Sequence, residues 1–232
     1  MTKFDVIILA GGKGTRLKKY TLKTPKPLIK IGKYPFLYYK IKNFLKYKNI
    51  NNILIATGYK SHLIENFIKK KFKKNKKIQI INSGDVDILD RIKDCTKYSF
   101  DNILICYGDT LAGINIYEYC KYFFKTKTPL ILTSDYKVEF GLLNVNNKNY
   151  ITKYIDGPKL KVRINLGYIF LNKKEILNLK KFKKWSSYLK KLSNSKKLRS
   201  FNFNGKYITY NNIGELQTAE VKIQEIKKLI KI

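Results

Sequence analysis

Apolar residues recur along this chain in two alternating rhythms. Short runs of large aliphatic residues, Val6 to Leu9, Ile53 to Thr57, Ile78 to Ile81 and Ile103 to Tyr107, read as buried strands. Between them Phe36 to Tyr47, Leu63 to Phe72 and Ile88 to Cys95 read as amphipathic helices. This alternation predicts a mostly parallel sheet with helices on both faces. Beyond Asn115 the rhythm changes. Strands are read at Leu130 to Asp135, Leu142 to Val145, Ile151 to Tyr154 and Ile164 to Leu171, then helices near Glu175 and Trp185. A short strand pair, Leu198 to Phe203 and Lys206 to Tyr210, precedes a final helix from Glu215. No repeat and no Gly/Ser/Pro-rich linker divides the 232 residues, so a single domain over residues 1–232 is expected, its second half walling the site.

The longest early apolar stretch, Val6 to Ala10, is too short for a membrane span or a signal-peptide core. A cytoplasmic protein is expected. Cys95, Cys106 and Cys120 show no metal-ligand spacing, and His62 is the sole histidine, so a zinc site lacks ligands. Three cysteines without an export signal favour free, buried thiols, and His62 reads as a residue of a helix surface. Any metal must be a hard cation held by oxygen.

The net charge is +33, from 49 basic and 16 acidic residues. Only Arg16, Arg91, Arg163 and Arg199 are arginines, and the lysines come with many Asn, Ile, Tyr and Phe, the palette of an AT-rich genome. Codon bias accounts for most of this charge, and attraction of phosphate-bearing ligands follows from it.

The first strand runs into Leu9-Ala10-Gly11-Gly12-Lys13-Gly14-Thr15-Arg16, and Pro25-Lys26-Pro27 follows within one loop. Glycines at the end of a buried strand let backbone N–H groups approach a phosphate, and a guanidinium can clamp its oxygens. The spacings of the Rossmann fingerprint and of the Walker loop are both absent.

G-G-x-G-T-R followed by P-K-P resembles the signature of the sugar-1-phosphate nucleotidylyltransferases. The resemblance extends through Thr57-Gly58-Tyr59, Tyr107-Gly108-Asp109-Thr110, Phe140-Gly141-Leu142, the stretch from Asn165 to Phe170, and Ile213-Gly214-Glu215. Ser83-Gly84-Asp85 and Arg91-Ile92-Lys93 look most like the glucose-1-phosphate cytidylyltransferase branch. The family implies a Rossmann-like α/β fold of the nucleotide-diphospho-sugar transferase type, a mostly parallel mixed sheet flanked by helices. In its reaction an acceptor phosphate oxygen attacks the α-phosphorus of a nucleoside triphosphate and expels pyrophosphate.

Carried over position by position, the resemblance assigns catalysis to Arg16, which holds the triphosphate, and Lys26, which bridges nucleotide and acceptor phosphates. It assigns nucleotide binding to Leu9, Ala10, Gly11, Gly12, Lys13, Gly14, Thr15, Ser83, Gly84 and Gly108. Acceptor contacts fall on Asp109, Gly141, Asp156, Asn165 and Lys159, with Tyr168 equally readable as core. Asp109 is the expected magnesium ligand, because Mg2+ takes one or two carboxylates and fills its sphere with phosphate and water. The family's second metal aspartate falls on Asn212, where an amide replaces the charge and Glu215 is the candidate to compensate. The acceptor motif E-K-P reads Asp156-Gly157-Pro158, leaving Lys159, Lys161 or Arg163 to reach in, and Leu89-Asp90 replaces a Gly-Gly pair before Arg91.

The expected activity joins an NTP, CTP favoured, to a sugar 1-phosphate. The same chemistry with GTP and a heptose phosphate, or with CTP and a phosphocholine-like or phosphonate-like acceptor, stays open. So does a polyanion-binding protein with vestigial catalysis, although no RNP-type or helix-turn-helix signature supports specific nucleic-acid binding. A homo-oligomer is compatible with the sequence.

Overall fold

The computed structural model describes residues 2–231 apart from Lys18, Lys74, Phe100, Glu139 and Pro158, with only the backbone of Lys137 and of residues 159–161. The chain opens with β1 (Phe4–Leu9), α1 (Lys19–Lys23), the minimal strands β2 (Lys30–Ile31) and β3 (Tyr34–Pro35), and α2 (Phe36–Phe44). Next come β4 (Ile50–Thr57), α3 (Ser61–Phe72), β5 (Ile78–Asn82), α4 (Ile88–Thr96), β6 (Asn102–Tyr107), β7 (Thr110–Ala112) and α5 (Ile116–Thr126). The second half supplies β8 (Leu130–Lys137), β9 (Leu142–Val145), β10 (Ile151–Ile155), β11 (Lys159–Asn172), α6 (Lys173–Asn178), α7 (Trp185–Asn194), β12 (Arg199–Asn202), β13 (Tyr207–Thr209) and α8 (Ile213–Leu229).

Seven strands form the main sheet in the order β12-β8-β11-β6-β1-β4-β5. β1 pairs in parallel with β4 and β6, β4 with β5, and β12 with β8, whereas β11 runs antiparallel to β6 and β8. The sheet is therefore mixed, with the parallel core that the alternating rhythm predicts. The two late strands do not pair with each other: β12 joins the main sheet and β13 pairs with β7.

Alternation along the strands sends successive side chains to opposite faces. Val6, Ile8, Ile53, Ile55, Leu104 and Cys106 pack beneath α2, α3 and α5. Ile7, Leu54, Ala56, Ile103 and Ile105 pack beneath α4 and α7. A third cluster seats α8 against Leu17, Ile29, Phe36, Leu111 and Tyr210, so the C-terminal helix closes over the loops that follow β1. Fully burying one such large apolar side chain is worth about 1.5–3 kcal/mol, and these clusters fix the strand ends from which the site is built. All three cysteines are free and buried, and His62 is exposed on α3. Among the described residues no helix is long and apolar enough to cross a membrane.

Candidate functional site

Strand order reverses at β1, which lies between β4 and β6. In open α/β sheets, ligand crevices form at such a switch, outside the carboxyl ends of the strands. The loops after β1, β4 and β6 meet there. Ala10 N donates to Ala56 O at 2.8 Å, and Tyr59 N donates to Gly11 O at 3.1 Å. Gly108 lies so close to the Leu9 carbonyl that an added Cβ would collide with it.

Arg91, buried beneath these loops, ties them together. Its guanidinium donates to the carbonyls of Thr57, Gly84 (3.2 Å) and Val86 (2.9 Å), and it lies against Gly11 and Gly58, where a Cβ on either would strike it. Burial lowers its pKa. The side chain is thus used up on backbone carbonyls that join the end of β4 to the 83–87 loop, while its guanidinium packs against Gly11 of the loop after β1.

The glycine loop itself presents Gly12, with open space around its Cα, and Gly14 at φ +65°. Gly14 O accepts from Leu17 N and from Thr21 Oγ1, which turns the chain into the short helical turn Thr15–Leu17. Lys13 pairs with Asp85 at 2.6 Å, both exposed. Arg16 is exposed and makes no ion pair among the described residues, so its guanidinium is available to an anion over the loop.

Lys26 opens a single turn between Pro25 and Pro27, a segment whose φ angles the prolines restrict. Its Nζ lies 2.7 Å from Asp109 Oδ2 and 3.1 Å from Asn211 Oδ1, and 5.2 Å from the Tyr210 ring centroid. Tyr210 OH donates to Lys26 O at 2.8 Å. Burial pushes the Tyr210 hydroxyl well above its usual pKa, with Asp109 adding to the effect.

The structure thus brings Lys26 and Asp109 together, with Asn211 as the third member. Asn212, the position expected to face the metal, instead caps α8: its Oδ1 accepts from Glu215 N at 2.9 Å and its Nδ2 donates to Glu215 Oε1. Asparagine is a favoured N-cap because its oxygen satisfies an orphan helical N–H. Glu215 Oε2 in turn accepts from Asn211 N at 2.8 Å and Asn211 Nδ2 at 3.3 Å, which leaves Asn211 Oδ1 facing Lys26. Glu215 therefore orients the amide rather than entering the site.

Among the described residues no three His, Cys, Asp or Glu side chains gather as a metal group. The Lys26 ammonium nevertheless sits between a carboxylate and an amide oxygen, so the pair Asp109 and Asn211 suits a hard cation that draws its remaining ligands from phosphate and water.

Buried behind this cluster, Lys40 donates to Tyr107 O at 2.8 Å and to Thr110 O. Burial pushes its ammonium down to about 8, against the pull of Cys106 and Asp109.

Asn165 Oδ1 accepts from Gly167 N at 2.7 Å, and Gly167, at φ +70°, packs on the Tyr107 ring. Trp185 Nε1 donates to Tyr107 OH at 3.0 Å, holding the hydroxyl end of that ring. Tyr168 is fully buried in the core. Gly141 packs against Tyr154 of the β9–β10 hairpin, and Asp156 is exposed in the turn after β10. Arg163 is paired with Asp135 at 2.7 Å. The Lys159 and Lys161 side chains and Pro158 lie outside the described residues. No hydrogen bond among the described residues links this arm to the Lys26–Asp109 pair. Gly84, at φ +70°, borders the glycine loop through Arg91, and Ser83 N donates to Thr57 O at 3.2 Å.

A sequence-family model described as nucleotidyl transferase matches residues 5–213. The D-glycero-alpha-D-manno-heptose 1-phosphate guanylyltransferase of Campylobacter jejuni is 28% identical over 174 residues, 75% of this chain and 78% of the relative. A probable glucose-1-phosphate cytidylyltransferase of Bacillus subtilis is 31% identical over 164 residues, 61% of this chain and 64% of the relative. In fold, the chain resembles a solved putative glucose-1-phosphate thymidylyltransferase of Bacillus anthracis, at TM-score 0.75 and 20% identity, covering 95% of this chain and 94% of that one.

Proposed function

The chain belongs to the nucleotidyl transferase family, the sugar-1-phosphate nucleotidylyltransferases, and on that premise we propose that it joins CTP to a sugar 1-phosphate, releasing pyrophosphate. The observation that carries the reading is the convergence of Lys26, Asp109 and Asn211 beside a glycine loop with an exposed Arg16.

The acceptor phosphate oxygen bonds to the α-phosphorus while the bond from that phosphorus to the bridging oxygen breaks, and pyrophosphate leaves with the electron pair. Both reactants are polyanions, so the barrier is dominated by their repulsion and by in-line alignment. Backbone N–H groups of Gly11, Gly12 and Gly14 approach the triphosphate, and Arg16 clamps it through directed donors. Lys26, held on its proline-flanked turn, contributes a point charge between the two substrates' phosphates. Asp109 and Asn211 would hold Mg2+, which supplies charge screening for the phosphates when bound. The strongly basic surface raises the local concentration of both anions.

The base is read at the 83–87 loop that Arg91 holds. Its likeness to cytidylyltransferases favours CTP, and the B. subtilis relative supports that choice. The C. jejuni guanylyltransferase supports GTP with a heptose phosphate as the runner-up.

Incubation with each NTP in turn, paired with glucose 1-phosphate, heptose 1-phosphate or phosphocholine and followed by pyrophosphate release, tests the proposal. CTP with a sugar 1-phosphate is expected to turn over. Release with GTP and heptose phosphate alone would transfer the assignment to the runner-up, and no release with any pair would contradict both.

A further inference from the structure

Lys40 lies on α2 four residues after Phe36 and four before Phe44, within the stripe that also buries Leu37 and Ile41. Its side chain is completely buried. A lysine is almost never found there without a partner, since burying an unpaired ammonium is costly and an apolar residue of similar volume would fill the position without that cost.

Its partners are neutral oxygens. Nζ donates to Tyr107 O at 2.8 Å, to Thr110 O, and to Tyr168 OH at 3.4 Å, so each of its three protons is used. The Tyr168 ring centroid lies 4.6 Å from Nζ, and Tyr168 OH also accepts from Ala112 N at 3.3 Å. The two carbonyls bracket the turn Gly108-Asp109. One ammonium thus clamps the backbone on both sides of the aspartate whose carboxylate meets Lys26.

We propose that Lys40 is a positioning residue: from inside the core it holds the Gly108–Asp109 turn, and so aims the Asp109 carboxylate at the cation and phosphates of the reaction. The proposal rests on the reading of Asp109 as a cation ligand. An apolar side chain would fill the volume but remove the ammonium shared by both carbonyls, leaving Thr110 O only the long 3.5 Å bond from Tyr168 OH among the described side chains and the turn free to relax. A misaimed carboxylate weakens metal binding and slows the transfer while the acceptor still binds.

The test compares wild type, Lys40→Met, Tyr168→Phe and Asp109→Asn. Mn2+ bound in the presence of CTP is measured from the loss of the free-ion paramagnetic resonance signal, alongside kcat, KM for the acceptor, and the thermal midpoint. Outer-shell partners of metal ligands typically contribute about 10–100-fold to affinity or activity. Lys40→Met is therefore expected to fold, to bind Mn2+ at least about tenfold more weakly, and to lose kcat with the acceptor KM unchanged. Tyr168→Phe, which removes one anchor of the ammonium, is expected to shift Mn2+ binding in the same direction by less. Should Lys40→Met fail to fold, unchanged Mn2+ binding in Tyr168→Phe overturns the proposal. Normal Mn2+ binding and kcat in a folded Lys40→Met, with both lost in Asp109→Asn, overturns the positioning role alone. Mn2+ binding unaffected by Asp109→Asn removes the reading beneath it.

Discussion

Lys26 Nζ and Asp109 Oδ2 lie 2.7 Å apart, joining a loop after the first strand to the end of the sixth across 83 residues of sequence. The ammonium occupies the space between the two oxygens that suit a cation. If Asp109 is the cation ligand proposed above, the ammonium competes with a metal for it in the nucleotide-free protein. Lys26→Met is expected to bind Mn2+ more tightly than wild type without nucleotide, even as turnover falls, and calorimetric titration with Mn2+ checks the sign. Weaker binding in the variant would mean that the lysine does not compete for this site.

Asn211 and Asn212 are neighbours with separate work. Asn211→Asp places a second carboxylate beside Asp109, and the Mg2+ concentration for half-maximal rate is expected to fall. Asn212→Asp keeps a good N-cap and should leave that concentration unchanged, whereas Asn212→Ala should cost about 1 kcal/mol of stability. Magnesium titrations of the rate, with denaturant melts of each variant, separate the two roles.

Gly11 and Gly12 differ although they are adjacent. A methyl at Gly11 meets the buried Arg91 guanidinium, while at Gly12 it meets open space. Gly11→Ala is expected to lose about 1–3 kcal/mol of stability through overpacking. Gly12→Ala should retain wild-type stability, and any defect should appear in NTP binding. Urea midpoints and the KM for NTP report the two effects.

The thiols give a pH prediction. Burial pushes Cys95 and Cys106 up to about 12 and Cys120 up to about 11, against an ordinary value of 9.0. Almost no thiolate exists at pH 8, so a colorimetric disulfide reagent should leave all three unmodified until the protein unfolds. Because the unfolded chain releases these protons first, stability should fall as pH rises from about 9 to about 12. Rapid labelling of the native protein at pH 8 would contradict the burial of these residues.

Much of this architecture was legible because it is local. The strands at Val6 to Leu9 and Ile103 to Tyr107 and the glycine loop are written in contiguous residues, and their observed bounds differ by one or two positions. Lys40 was legible in principle, as a lysine at a core position of a helical stripe, but among 49 basic residues attributed to codon bias nothing singles it out. The stretch Ile116–Thr126 carries Tyr119, Cys120 and Phe123 on one helical face, yet its aromatic residues mask a helix behind strand propensity. Asn211 was out of reach. Its role depends on α8 docking over the Pro25–Pro27 turn, a contact across 185 residues that motif spacing does not encode. The pairing of β12 with β8 and of β13 with β7 is likewise a tertiary choice.

The most direct test of nucleotidyl transfer at this site uses CTP labelled at the α-phosphorus, a sugar 1-phosphate and Mg2+. Wild type should carry the label into a sugar nucleotide with stoichiometric unlabelled pyrophosphate. Lys26→Met and Arg16→Ala should each lose two to four orders of magnitude in rate, roughly 3–5 kcal/mol of transition-state stabilisation, with unchanged circular dichroism. Label transfer at the wild-type rate in both variants, or label retained in CTP by wild type across every sugar 1-phosphate, would contradict the account.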